Sequence, residues 1–383
     1  MLAMSYLGPS SVKAVSKPEP EIEHPNDVIL RVTRAAVCGS DLHLYHGMIA
    51  DTRVGTTFGH EFTGVVEEVG PSVSKHARGD RLMVPFNISC GSCFFCSRQL
   101  YANCENTNPS NNLAGGVFGY SHTTGGYDGG QAEYVRVPMA DVGPMKIPGD
   151  MSDEDVLFLT DAFPTGYQAA EMGSIQRGDT VVVFGCGPVG LFAQRSALLM
   201  GASRVIAVDH LDYRLEFARK FADVETVNFK EVDDIVTYLR RQTEGRGPDV
   251  CIDAVGMEAV GHLWEMATGK ALLQGGVPTV IRWCIDVVRK AGHVSIVGVY
   301  GPPWNVVNVG TAMNKGLTLR MNQCNVRRYM PHLLELIRNG TVNAKSVITH
   351  RFPLDAVDDA YQMFARKQDG IIKPVLIPPG AEA

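Results

Sequence analysis

The sequence predicts an α/β protein of two domains, one of them a doubly wound parallel sheet. Three observations carry that expectation. Val181–Asp209 runs strand, glycine turn, helix, strand, in the order of a βαβ unit. The chain has 383 residues, enough for two separate cores. The first 164 residues read instead as short strands broken by turns and irregular segments, without the alternating helices of a parallel sheet.

Val181–Phe184 is a run of β-branched and aromatic residues, the pattern of a buried strand. Gly185, Gly187 and Gly190 then give Gly-x-Gly-x-x-Gly, with Pro188 and Val189 inside the turn. An apolar helix follows and stops near Gly201. A second strand, Arg204–Val208, ends in Asp209. Glycines let the backbone turn sharply and approach a pyrophosphate closely. The helix N-terminus then offers free N–H groups to that anion. Asp209 lies about 20 residues beyond Gly190, where a carboxylate accepts hydrogen bonds from adenosine ribose hydroxyls. A glycine-rich turn in some other α/β protein is the competing reading. The four features together favour dinucleotide binding. Asp209 would repel a 2′-phosphate, so NAD is expected over NADP, although His210 and Arg214 soften that repulsion. Thr165, Val255, Gly256, Val297 and Val299 complete the candidate coenzyme contacts.

Taken in order, Met1–Pro25 reads as short strands and loops, and Asp27–Ala36 alternates like a half-buried strand. Cys38-Gly39-Ser40-Asp41 follows, then His43 and His46; no role is assigned to His46. Gly59-His60-Glu61 leads into the strand Val65–Val69, and Arg81–Pro85 is another strand. Asn106–Gln131 is rich in Gly, Asn and Thr, a long irregular segment of the kind that forms binding loops. Gln131–Pro138 returns to strand, and Asp161–Ala170 reads as a loop opening a helix. Further βαβ strands are Asp249–Val255 and Gly292–Val299. Gly256–Lys290 exceeds one crossover helix and reads as an insertion. Helices at Tyr329–Arg338 and Pro353–Arg366 and a strand at Ile371–Ile377 close the chain. The expected division is 1–164, 165–303 and a return, 304–383, to the first domain.

Net charge is −6, with no basic cluster, so nucleic acid is not an expected partner. No run of 18 apolar residues suggests a membrane span, and the N-terminus lacks a secretory pattern, so a cytoplasmic protein is expected. Four of the nine cysteines crowd into Cys90, Cys93, Cys96 and Cys104. Four thiolates at this spacing can close a tetrahedral shell around one Zn²⁺, leaving no position for substrate. The lobe spans about 88–106. An iron–sulfur cluster is the rival, but the ferredoxin pattern has three residues before its last Cys and then Pro. Here Glu105 follows Cys104. A disulfide pair suits a reducing compartment less well.

These motifs resemble the zinc-dependent medium-chain alcohol dehydrogenases along nearly the whole chain. The resemblance rests on Cys38-Gly39-Ser40-Asp41, Gly59-His60-Glu61, the four cysteines, Gly129-Gly130-Gln131-Ala132-Glu133-Tyr134 and Gly185–Gly190. Pro85-Phe86-Asn87, Thr160-Asp161, Pro164–Tyr167 and the extra segment before Gly292 are most similar to the glutathione-independent formaldehyde dehydrogenase branch. The resemblance implies a mainly β GroES-like catalytic domain completed by the C-terminal tail, a Rossmann-type coenzyme domain, and a homodimer or homotetramer. It implies two Zn²⁺ per chain and NAD. It carries a catalytic zinc onto Cys38, His60 and Asp161, with Glu61 nearby or as alternate ligand, and a proton relay onto Ser40 and His43. Asp161 could instead cap the helix that follows it. The implied reaction is hydride transfer from a small alcohol or hydrated aldehyde, with formaldehyde first and a short-chain alcohol or polyol second. Phe58, Phe86 and Tyr120 are expected in the pocket. A non-catalytic nucleotide-binding protein on the same fold is the competing class, and the complete set of metal ligands argues against it.

Overall fold

The computed structural model describes residues 1–110, 113–258, 278–300 and 307–381. These form two compact units: Met1–Pro164 with Asn325–Ala383, and Thr165–Cys324. No helix among the described residues is long and apolar enough to cross a membrane.

The second unit is built on six parallel strands. Glu225–Asn228, Arg204–Asp209, Thr180–Phe184, Val250–Asp253, His293–Ile296 and Thr318–Met321 lie side by side in that order. The chain starts at the centre, winds out one way, then returns and winds out the other. The switch point falls between Thr180–Phe184 and Val250–Asp253, at the carboxyl ends of which ligands bind in such sheets. Val181 to Phe184 are all buried, because helices cover both faces. Helix Pro188–Leu199 opens on a proline whose missing N–H costs nothing there, and ends before Gly201 at φ +105°.

The boundary of this unit differs from the sequence expectation. Residues after 303 were expected to rejoin the first domain. Helix Val309–Asn314 and strand Thr318–Met321 instead extend the parallel sheet, and the return starts at Asn325. Most of the expected insertion Gly256–Lys290 lies outside the described residues. Its ends are a short turn at Gly256–Glu258 and helix Thr279–Val287.

The first unit carries a seven-stranded, mostly antiparallel sheet. Its path is Ile348–Pro353, Lys373–Ile377, Val28–Ala36, Phe62–Val69, Arg81–Val84 and Met145–Lys146, with Tyr134–Val137 also paired to Val28–Ala36. A hairpin, Leu2–Gly8 with Ser11–Ser16, packs on the same core. Leu30, Val32, Phe62, Val66, Leu82 and Val84 bury the sheet's apolar face against Tyr361 and Phe364 of the tail. The tail therefore supplies core, and Lys373–Ile377 pairs directly with Val28–Ala36.

Candidate active site

Strand Val28–Ala36 delivers the chain to Cys38, the N-cap of helix Gly39–Tyr45. Asp41, three residues on, closes the cap by accepting the Cys38 N–H at 2.8 Å. Its other oxygen lies 3.3 Å from His60 Nδ1. Asp41 thus fixes the ring so that Nε2 points at the carboxylate of Asp161, 3.3 Å away. Cys38 Sγ is 3.5 Å from the same Asp161 oxygen. One donor atom each from Cys38, His60 and Asp161 lies within 4.8 Å of the others, and all three residues are buried.

The donor set fits zinc. Thiolate, imidazole and carboxylate are its usual ligands, and bonds of ~2.0–2.3 Å give tetrahedral edges of roughly 3.3–3.8 Å. Burial would lower the His60 pKa, yet Asp41, Asp161 and Cys38 raise it well above the ordinary value. Such a cluster demands positive charge. Ser40 Oγ sits 3.2 Å from His60 Nε2. His43 is one turn further along the same helix, with Tyr120 Oη 3.5 Å from its Nδ1. Phe86 meets the His60 ring edge-on at 6.0 Å. Phe58, expected in the pocket, is instead a fully buried core residue between Tyr6 and Tyr361.

Glu61 is placed differently from the three converging donors. One of its oxygens accepts the Ala162 N–H at 3.3 Å, and the other meets the ammonium of Lys373. Glu61 and Lys373 are both completely buried. Burial opposes the Lys373 charge, but Cys38, Glu61 and Asp161 raise its pKa above the ordinary lysine value. Sequence reasoning missed Lys373 altogether, and assigned no role to Asp41 or Gln131. Gln131 donates to Ala36 O at 3.2 Å and to Asp41 at 3.3 Å, and accepts from Tyr361 Oη at 2.8 Å. The three-residue spacing of Cys38 and Asp41 was the one available signal for any of these.

The four remaining clustered cysteines also converge. Cys90 and Cys96 sulfurs are 4.0 Å apart, as are those of Cys93 and Cys104. That is far beyond the ~2.05 Å of a disulfide. It also leaves room for one ion and none for a polynuclear cluster. Backbone N–H groups of Cys90, Cys93 and Cys96 point at Cys104, Cys90 and Cys93 sulfurs at 3.3, 3.4 and 3.5 Å. A hydrogen bond from Cys96 is the largest cause holding the Cys104 thiol down to about 4, against burial. A tetrahedral thiolate site for zinc fits these residues.

In the second unit, Gly185 has φ +100°, and a Cβ there would lie 2.8 Å from Val255. A Cβ at Gly190 would collide with the Gly185 carbonyl. Gly185 and Gly190 are therefore closed to other residues, and the turn brings Gly185, Gly190, Val255 and Gly256 to the switch point. Gly256 in turn abuts Val299, and Val297 N–H is held by Asp253 O at 3.0 Å. Asp209 accepts the Cys186 N–H at 2.9 Å with one oxygen and the His210 N–H at 2.6 Å with the other. Arg214 Nη1 is 4.0 Å from where a Gly187 Cβ would lie. Thr165 lies in helix Ala162–Met172.

Family models match in the order of these parts: the alcohol dehydrogenase GroES-like domain over residues 24–148, and the zinc-binding dehydrogenase domain over 188–269. An uncharacterized zinc-type alcohol dehydrogenase-like protein, AdhB, of Bacillus subtilis is 43% identical over 99% of this chain and 100% of its own. The chain belongs to the zinc-dependent medium-chain alcohol dehydrogenases. This dehydrogenase is also 33% identical to the glutathione-independent formaldehyde dehydrogenase of Pseudomonas aeruginosa, over 98% of this chain and 96% of that one. The solved alcohol dehydrogenase TADH from Thermus sp. ATN1 superposes with a TM-score of 0.83 at 34% identity, covering 99% and 100% of the two chains. Its membership makes the chain an oxidoreductase of a zinc-binding family, with a GroES-like and a Rossmann-like domain.

Proposed function

We propose that this chain is a zinc- and NAD-dependent dehydrogenase acting on a small alcohol or hydrated aldehyde, with formaldehyde as the leading substrate. The observation that carries the reading is the convergence of Cys38, His60 and Asp161 on one point, with the Ser40 hydroxyl beside it. Cys38, His60 and Asp161 would hold the catalytic zinc, and Cys90, Cys93, Cys96 and Cys104 a structural one. When bound, zinc supplies Lewis acidity to a substrate oxygen, and the nicotinamide accepts hydride.

The chain's own residues do the rest. Asp41 holds His60 in one ring orientation, as second-shell carboxylates do. The Ser40 hydroxyl takes up the proton that leaves the substrate as it releases its own, and His43, on the same helix face, passes that released proton outward. Phe86 presents an apolar wall beside His60 and limits water there. Gly185–Gly190 cradle the pyrophosphate, and Asp209 favours NAD by repelling a 2′-phosphate. Exposed Val309, Met313 and Met321 lie in the helix and outermost strand that close the parallel sheet, which supports self-association along that edge into a homo-oligomer.

The test is a panel of aldehydes, short alcohols and polyols with NAD and NADP and no glutathione, run on protein of measured metal content. About two zinc per chain and the highest kcat/KM on formaldehyde with NAD are expected. A preference for polyols or longer alcohols would move the substrate. Preference for NADP would overturn the role of Asp209, and absence of turnover at full metal loading would overturn the enzyme reading.

A further inference from the structure

The first unit contains a cavity of about 770 Å³ whose lining includes none of the converging metal-site residues. Strand Val28–Ala36 supplies Arg31 and Arg34, the start of Arg81–Val84 supplies Arg81, and strand Ile348–Pro353 supplies Arg351. Among the described residues, the carboxylates lining it are Asp153 and Glu154. Four guanidinium groups therefore face two carboxylates.

The pairing is uneven. Glu154 is gripped by Arg351 through two bonds of 2.9 and 2.6 Å, and by Arg34 Nε at 3.3 Å. These arginines hold the Glu154 carboxyl below the usual range, Arg351 contributing most. Arg81 grips Asp153 and also donates to the Met151 carbonyl at 3.0 Å. Arg34 is tied further to the carbonyls of Thr33 and Ala381, at 2.7 and 2.6 Å. These bonds have a structural purpose: they fasten the tail and strand Arg81–Val84 to the start of helix Asp153–Val156. Arg31 has none. It is partly buried, and its side chain has no hydrogen bond or ion pair among the described residues. Structure alone accounts for three of the arginines and leaves the fourth unexplained.

A guanidinium offers five donors in a rigid fork that matches carboxylate and phosphate oxygens. With both carboxylates already paired, the described lining residues keep an excess of two positive charges. The volume is that of a metabolite pocket and larger than a lone inorganic ion needs. We propose that this cavity binds a small dianionic metabolite through its phosphate or paired carboxylates, with Arg31 as the residue that meets it. None of its lining residues belongs to Thr165–Cys324, the unit that holds the coenzyme cradle.

Arg31 can be changed without breaking any pair described above, so it is the variant of choice. Inorganic phosphate and succinate are titrated into the metal-loaded protein at constant ionic strength, followed by calorimetry and thermal melting. Saturable binding with a rising melting temperature is expected. Arg31→Ala should weaken it by about tenfold or more, the scale of one charge-assisted bidentate contact. Arg31→Lys should weaken it less, and zinc content and turnover should not change in either variant. Saturation by phosphate alone identifies a phosphomonoester, by succinate alone a dicarboxylate, and by both a general oxyanion site. No saturable binding, or equal affinity in wild type and Arg31→Ala, overturns the proposal; phosphate held only by the coenzyme cradle gives that second result. If Arg31→Ala melts early, Arg31→Gln keeps the packing stem and carries the same comparison.

Discussion

Replacing Lys373 with methionine should cost this protein several kcal/mol of stability. Lys373 and Glu61 have no exposure to water, and their charges meet each other. Methionine fills nearly the same volume, so the loss is electrostatic. Glu61 would keep one hydrogen bond, from Ala162 N–H, but lose the ammonium it meets. Breaking a buried pair from one side typically costs about 3–5 kcal/mol, because the remaining charge is stranded. For a unit of roughly 150–250 residues, each kcal/mol moves the melting temperature by ~2–4 °C, so a fall of roughly 6–20 °C is expected. The double variant Lys373→Met with Glu61→Gln removes both charges and should recover most of that fall. Calorimetry on the metal-loaded single and double variants checks this. A single variant melting within 2 °C of wild type, or a double variant melting lower still, refutes the reasoning.

Three further outcomes follow from the site. Asp161→Asn keeps a side-chain oxygen able to cap a helix but removes a charge from the donor set. Catalytic zinc should be lost and kcat/KM should fall by at least ~100-fold, with stability within about 1 kcal/mol; a fully metallated, active variant would leave Asp161 as a cap only. Cys93→Ser should lower zinc from about two to about one per chain and reduce the melting temperature, whereas Cys38→Ser should lose activity and keep the fold. Asp209 accepts the N–H groups of Cys186 and His210, so Asp209→Gly would disturb the glycine turn itself. Asp209→Asn retains an acceptor for one of them and should narrow NAD over NADP selectivity by about tenfold; an unchanged ratio of kcat/KM values would remove the carboxylate from coenzyme choice.

The coenzyme domain was legible because its signals are local. Strand, glycine turn, proline-led helix and terminal aspartate follow one another within a single stretch, and each residue acts on its neighbours. The end of the same domain was not legible. Thr318–Met321 is an outermost strand with Met321 exposed, so it lacks the apolar run that marked the central strands. Nothing in four such residues separates a sixth parallel strand from a loop returning to the other domain.

The candidate metal donors were legible as residue types, while the groups that hold them were not. Cys38, His60 and Asp161 announce themselves through chemistry that few other roles need. Lys373 sits in a closing strand, where a lysine ordinarily faces water, and Cys38, Glu61 and Asp161 together offset its burial. Tyr361 likewise reads as one more aromatic on an amphipathic helix. Its hydroxyl nevertheless bonds Gln131, which bonds Asp41, which orients His60. Both side chains come from the return segment, so the tail supplies polar support to the site as well as apolar core. The geometry of His60 then depends on its 3.3 Å contact with Asp41 and on the hydrogen bonds that tie Asp41 through Gln131 to Tyr361. Tyr361→Phe should accordingly preserve the packing of that ring and the zinc content, yet reduce kcat through a less firmly held imidazole, while Tyr361→Ala should damage both. Equal turnover in Tyr361→Phe and wild type would confine the tail's contribution to packing.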